Sequence, residues 1–279
     1  MRSIWKGSIT FGLVNVPVRL YAATEDHDLP MHQVHDADGG RIRYQRRCEI
    51  CGRIVTYDHI DKAYDDGDRT VVLKDEDLKS LPVEQSREID VVEFVPSEQV
   101  DSIRIERSYF LEPDSKSPRS YVLLRRVLEQ TDRTAIVQFT IRQRTRLGAL
   151  TVRGDVLLLQ SLLWDDEVRT ADFPSLKTEV EIQDRELKMA QSLVASFESD
   201  FEPANFTDEY QAQLQKLVQA KLEAGDAVDS EATFGEQPEK PADGDVIDLM
   251  EALRRSVAAN RESASGGKPA AKQTVKRGA

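Results

Sequence analysis

Three groups of side chains in this sequence have types and spacings that could do chemistry. The first is the run Ile141-Arg142-Gln143-Arg144-Thr145-Arg146-Leu147. On a strand, residues two apart point the same way, so Arg142, Arg144 and Arg146 would share one face and span about 13 Å at ~3.3 Å per residue. On a helix the same spacing would splay them around the cylinder. Three cations in a row repel one another unless a polyanion neutralises them, and a nucleic-acid duplex offers phosphates at similar separations. Arg41, Arg43 and Arg47 repeat the arrangement on the strand expected after the Gly39-Gly40 turn, with Arg46 on its other side. No aromatic residue lies among Arg142, Arg144 and Arg146, which favours backbone contact with little sequence preference over base stacking. The competing reading is an exposed strand whose arginines pair with the acids of residues 58–101.

The second group is His32-x-x-His35 followed by Cys48-x-x-Cys51. Thiolates and imidazoles suit zinc, and two such pairs could close a tetrahedral structural site, one zinc per chain; a redox pair at the cysteines is the alternative. The third is a short amphipathic helix expected over 245–258, where Val246, Leu249, Met250, Leu253 and Val257 form an apolar stripe. A linker rich in Gly, Pro, Asp and Glu (226–244) precedes it, so the stripe reads as a docking helix for another protein. Residues 259–279 should be disordered, and their Lys268, Lys272, Lys276 and Arg277 read as a nonspecific electrostatic arm.

Catalytic signatures are missing. No phosphate loop, G-x-G-x-x-G fingerprint, G-x-S-x-G elbow or H-E-x-x-H is present. All four histidines (His27, His32, His35 and His59) precede residue 60, and most carboxylates sit in hydrophilic runs. The expectation is a protein that is not an enzyme. The formal net charge of −12 would ordinarily argue against a nucleic-acid partner. It is, however, segregated: residues 155–262 carry 10 basic and 25 acidic side chains, while residues 104–153 carry 11 basic and 5 acidic. A global balance therefore says little about any one face. Two cysteines do not make a disulfide framework, no apolar run approaches ~18 residues, and the opening lacks the apolar block of a signal peptide, so a cytoplasmic protein is expected.

The elements that would position these groups change character along the chain. Up to about residue 160 the pattern is mostly strand. Val14, Val16, Val18 and Leu20 alternate with polar residues, Pro17 suggesting an edge or irregular position; Val91–Val95, Ser108–Leu111 and Ile136–Val152 add further strands. A helix is predicted over Ser120–Gln130, with Val122, Leu123, Val127 and Leu124 on one face. After about Leu176 two helices are predicted. One is capped at Asp184 with Leu187, Ala190, Val194 and Phe197 as its stripe. The other is capped at Thr207, carries Leu214, Leu217, Val218 and Leu222, and ends at Gly225. Short strands with frequent turns point to a barrel-like β core.

Three stretches carry a family resemblance: SIWKGSITFGLVNVPVRLY, RSYFLEPDSKSPRSYVLLRRVLEQTDRTAIVQFTIRQRTRLGALTV and LLWDDEVR. Together they closely resemble bacterial Ku, of the actinobacterial type, over essentially residues 1–260. The resemblance implies an α+β fold: a Ku-type β-barrel core with helical arms over 1–225, then the linker, the C-terminal helix and the basic tail. It implies a homodimeric ring threaded onto double-stranded DNA ends without sequence reading, with the C-terminal helix recruiting the ATP-dependent ligase D. The reading that stands against it is a zinc-stabilised protein-interaction scaffold without specificity for DNA ends.

Overall fold

The computed structural model describes residues 1–81, 87–116, 118–141, 144–225 and 256. It divides into two compact units, Met1–Ala171 and Asp172–Ala279. The boundary lies close to the point where the sequence changes character. Apart from Ser256, the linker, C-terminal helix and tail expected from the sequence lie outside the described residues.

The first unit is built on a closed barrel of seven strands: β1 (Trp5–Phe11), β2 (Val14–Ala22), β5 (Glu88–Pro96), β6 (Ile105–Pro113), β7 (Arg133–Ile141), β8 (Arg144–Arg153) and β9 (Val156–Leu162). The intervening β3 (Lys62–Asp65) and β4 (Thr70–Leu73) pair only with each other, and a short helix α1 (Asp75–Lys79) follows them. Around the barrel the order is β1-β2-β6-β9-β8-β7-β5. Six of the seven seams are antiparallel; the seventh, β1 with β5, is parallel and pairs Ser8, Ile9 and Thr10 with Glu88, Ile89 and Asp90.

Strand alternation fills the barrel. Ile9, Val16, Val18, Leu20, Ile89, Leu111, Ala135, Val137, Phe139, Leu150, Leu157 and Leu159 all point inward and are buried. Pro17 causes no loss on β2, because the β2–β6 ladder begins one residue later, at Val18 opposite Pro113.

One end of the barrel is plugged by α2 (Arg119–Thr131), which buries Tyr121, Leu124 and Leu128. Half of the predicted face holds: Leu124 is buried and Val122 packs against the core, but Leu123 and Val127 are exposed, and the buried stripe runs i, i+3, i+7 from Tyr121. The Tyr121 hydroxyl donates to the Leu111 carbonyl (2.6 Å) and accepts from the Leu157 N–H (2.8 Å). Leu111 and Leu157 form the last described rung of the β6–β9 ladder, so the phenol takes over where strand pairing stops. Burial pushes its pKa up. On the outer face, Asp114 accepts ion pairs from Lys6 (2.6 Å) and Arg19 (2.5 Å), which hold its carboxyl below the usual range and tie the β1–β2 hairpin to the end of β6.

The single strand expected across 136–152 is two. Ile141 pairs with Arg144, so β7 and β8 form a hairpin whose connecting residues, 142 and 143, lie outside the described set. In the second unit α3 runs Asp184–Phe197, capped one residue earlier than expected by Gln183, whose N–H donates to Glu186 (2.9 Å). Helix α4 runs Glu209–Ala224; Asp208 rather than Thr207 caps it, its carboxylate accepting from the Gln211 N–H (3.0 Å), and Gly225 ends it at φ +66° as expected. Among the described residues no helix is long and apolar enough to cross a membrane.

Gly148 is a tightly enclosed inner position. A Cβ there would meet the Phe139 ring at 2.9 Å, Val137 at 3.0 Å and the Gln160 carbonyl at 3.1 Å. Gly148→Ala should therefore lower stability by about 1–3 kcal/mol, the ordinary penalty for overpacking a filled core. Denaturant melts of the two proteins measure it, and an unchanged midpoint would contradict the packing described.

Candidate nucleic-acid interface

Strand direction gathers one set of ends at the barrel mouth opposite α2: the starts of β1, β5, β6 and β8 and the ends of β2, β7 and β9. The chain leaves β2 at this mouth, runs through residues 23–87, and returns to β5 at the same mouth. Both sets of predicted arginines therefore belong to one end of the barrel or to the arm that grows from it.

The hairpin changes what Arg144 and Arg146 can do. Residues opposite one another on paired strands share a face, and Arg144 opposes Ile141 while Arg146 opposes Phe139. Both arginines thus continue the inward-facing row rather than forming an outer rail. Arg142, the third member of the predicted row, lies outside the described residues. Across β9, Arg107 opposes Ser161 on the same inner side.

Arg146 is not free. Its guanidinium donates to Glu106, whose carboxylate also accepts from the Ser161 hydroxyl (3.4 Å); the Arg107 N–H in turn donates to Ser161 (3.1 Å). Glu106 reaches inward because β6 is irregular there: the register with β9 shifts between Ile105 and Arg107. An extra residue in a strand is re-aimed in this way. The neutralising acid lies at position 106, not in the 58–101 stretch the sequence suggested. Among the described residues Arg144 makes no ion pair, and Arg107 only approaches its neighbour Glu106 at 4.0 Å. Glu106 and Arg107 were not singled out from the sequence.

On the arm, the expected Arg41–Arg47 strand is replaced by two small hairpins. The first is held by a bridge between Val34 and Arg41 and by the Ile42 N–H donating to the Gln33 carbonyl (3.0 Å). The second is held by a bridge between Arg47 and Ile54. Arg41 and Arg43 are exposed and, among the described residues, form no ion pair; with Met31, His32 and Tyr44 they border a shallow cleft. Arg47 instead donates through Nε to the Gly52 carbonyl (2.8 Å), and Arg46 lies over the Tyr57 ring at 5.4 Å. Those two arginines hold the second hairpin together.

The zinc set is only half assembled. Within the second hairpin the Gly52 N–H donates to the Cys48 carbonyl (2.9 Å), and the N–H groups of Cys51 and Ile50, then the Cys51 thiol, hold the Cys48 thiol below its usual pKa. That turn suits a thiolate. His35, by contrast, sits on the first hairpin with Nδ1 3.1 Å from the Asp38 carboxylate. Among the described residues no three of His, Cys, Asp and Glu come together in a way that could hold a metal ion. A four-ligand site of His32, His35, Cys48 and Cys51 does not fit this arrangement.

Comparison with known proteins bears on this architecture directly. Residues 10–189 match the family described as the Ku70/Ku80 beta-barrel domain. The chain belongs to the Ku family. The match covers Ku barrel strands β2 to β9 and reaches into α3. The chain is 59% identical over 273 residues to the Non-homologous end joining protein Ku of Leifsonia xyli, covering 98% of this chain and 94% of that one. It is 54% identical over 275 residues to the protein of the same name from Mycolicibacterium smegmatis, covering 96% and 84%. The corresponding Mycobacterium tuberculosis Ku is 52% identical over 272 residues, covering 95% and 98%.

Because the thiols and imidazoles occupy separate hairpins, His35→Ala should leave the metal content of the purified, untagged protein unchanged. Elemental analysis beside a Cys48→Ser variant decides it. Equal loss of zinc in both variants would restore the four-ligand site.

Proposed function

We propose that this chain is a noncatalytic clamp for double-stranded DNA ends in non-homologous end joining. The observation that carries the proposal is near-full-length similarity, 59% identity over 98% of the chain, to a protein named for that process. The local chemistry supports it. Arg41 and Arg43 present exposed guanidinium groups on the arm that grows from the barrel mouth. Guanidinium groups suit phosphates, and contacts to phosphate alone hold a duplex without reading its sequence.

In this reading the protein works as a homodimeric ring in the cytoplasm, associated with the nucleoid. The apolar stripe of α3 supports a second copy: Leu187, Val194 and Phe197 are exposed, and no residue of α3 is buried. Acidic segments then face outward and the arginines inward, so a net charge of −12 is compatible with a DNA partner. The stripe Val246, Leu249, Met250, Leu253 and Val257 is the docking segment for ligase D, and Lys268, Lys272, Lys276 and Arg277 add a screened, nonspecific pull on DNA.

Linear duplex should bind far more tightly than a covalently closed circle of equal length and sequence. In the Arg41→Ala, Arg43→Ala double variant, the slope of log affinity against log salt should fall by about 1.8, roughly 0.9 per lost phosphate contact. Equal affinity for circle and linear DNA would end the clamp reading; an unchanged slope would remove these two arginines from it.

Leu253→Asp should leave end binding intact and abolish stimulation of ligase D in a joining assay. Full stimulation by that variant would take the C-terminal helix out of recruitment.

A further inference from the structure

The barrel mouth holds a cleft of about 710 Å³ that a rail of phosphate contacts does not explain. Its rim carries Arg107 and Arg144 on one side and Thr24, Glu25 and Asp26 on another, and Tyr109 lies deeper, nearly buried. Arg144 faces the barrel interior, in line with Ile141, so it cannot lie flat against the outer surface of a duplex. The volume falls in the ~300–1,000 Å³ range of sites that enclose small ligands, and is much too small to seat a double helix.

The charge pattern narrows the occupant. Glu106 already satisfies Arg146, which leaves Arg144 and the lightly engaged Arg107 as the cations that remain for an anion. Two carboxylates, Glu25 and Asp26, share the cleft with them. A simple anion would gain from the arginines and be repelled by the acids. A nucleotide has complementary groups for both: its phosphate for Arg144 and Arg107, and the exocyclic amino group of its base for a carboxylate. Its ring would have the aromatic Tyr109 and the apolar Ile141 and Ile4 as walls.

We propose that the barrel-mouth cleft binds a single unpaired nucleotide through Arg144 and Arg107 on the phosphate and Glu25 or Asp26 on the base. This deepens, and rests on, the reading of the chain as a DNA-end clamp, since the terminal nucleotide of a single-stranded overhang is one source of such a ligand; a free nucleotide is the other. Glu106 sets the strength of the site by neutralising Arg146, which also lines the cleft.

The test uses the full-length protein and two kinds of probe. In equilibrium dialysis, 5′-AMP should bind saturably, and inorganic phosphate and adenosine should each bind about tenfold more weakly, because each lacks one charged or hydrogen-bonding end. Arg144→Gln should weaken AMP binding about tenfold, while Glu106→Gln, which releases Arg146, should strengthen it. In the second arm, wild-type protein should prefer a duplex with a short 5′ overhang to a blunt one, and Arg144→Gln should lose that preference while keeping its blunt-end affinity. AMP binding with no overhang preference assigns the cleft to free nucleotides and still supports it. Absence of saturable AMP binding, or AMP binding untouched in both variants, overturns the proposal. Loss of blunt and overhang binding alike in Arg144→Gln also overturns it, returning Arg144 to the duplex contact. The clamp reading fails separately, on equal binding to linear and closed DNA.

Discussion

A closed ring of seven strands cannot be antiparallel throughout. Each antiparallel seam reverses direction, and six reversals bring the seventh strand back parallel to the first. The three-residue pairing of β1 with β5 is therefore imposed by parity. Without it the sheet would present two raw edges, each a row of unpaired N–H and C=O groups. Parallel closure also makes β5 start at the end where β2 finishes. Residues 23–87 can then leave and re-enter on either side of β1 at one mouth without crossing the barrel. The placement of both arginine groups follows from that single seam.

The mouth differs from the rest of the barrel because inward-facing positions there carry charge. Immediately further in, the row occupied by Arg144 and Arg146 becomes Gly148, Leu150 and Val152. A charge facing a barrel interior is tolerable only near water or beside a partner. Arg144 keeps the first condition at the rim. Arg146 meets the second through Glu106, and that partner exists only because β6 departs from regular pairing. The bulge and the ion pair are one device: without the extra residue, Glu106 would fall on the outer face, and Arg146 would sit half-buried and uncompensated.

Much of this was legible in the sequence. The β2 strand, the three longer helices and the family followed from periodicity, caps and motif. The break between β7 and β8 did not, because no Gly, Asn or Pro stands between Ile141 and Arg144 to mark one. A signal was nonetheless present. The small and apolar residues at 135, 137, 139 and 141 are odd-numbered, while Gly148, Leu150 and Val152 are even-numbered, and such a phase slip requires an interruption between them. The α2 face was misread because Tyr121 was not counted as a core residue, although its hydroxyl has a buried partner on each side. The parallel seam and the irregularity at Glu106 leave no local mark; both arise from strands brought together across long stretches of chain. The spacing of the four metal-type ligands was suggestive, but spacing does not reveal that a turn at Asp36–Gly40 commits His35 to Asp38.

The Tyr121 phenol joins a helix to two strands, donating to the Leu111 carbonyl and accepting from the Leu157 N–H at the plugged end of the barrel. Detaching α2 alone would strand the Leu111 carbonyl and the Leu157 N–H as well as expose Leu124 and Leu128, at about 1–3 kcal/mol for each orphaned group beyond the lost apolar burial. Local opening of the helix thus costs a large share of what opening the whole barrel would. Opening of the plugged end is thereby tied to opening of the barrel itself, whereas no residue of 23–81, the arm at the opposite mouth, is buried.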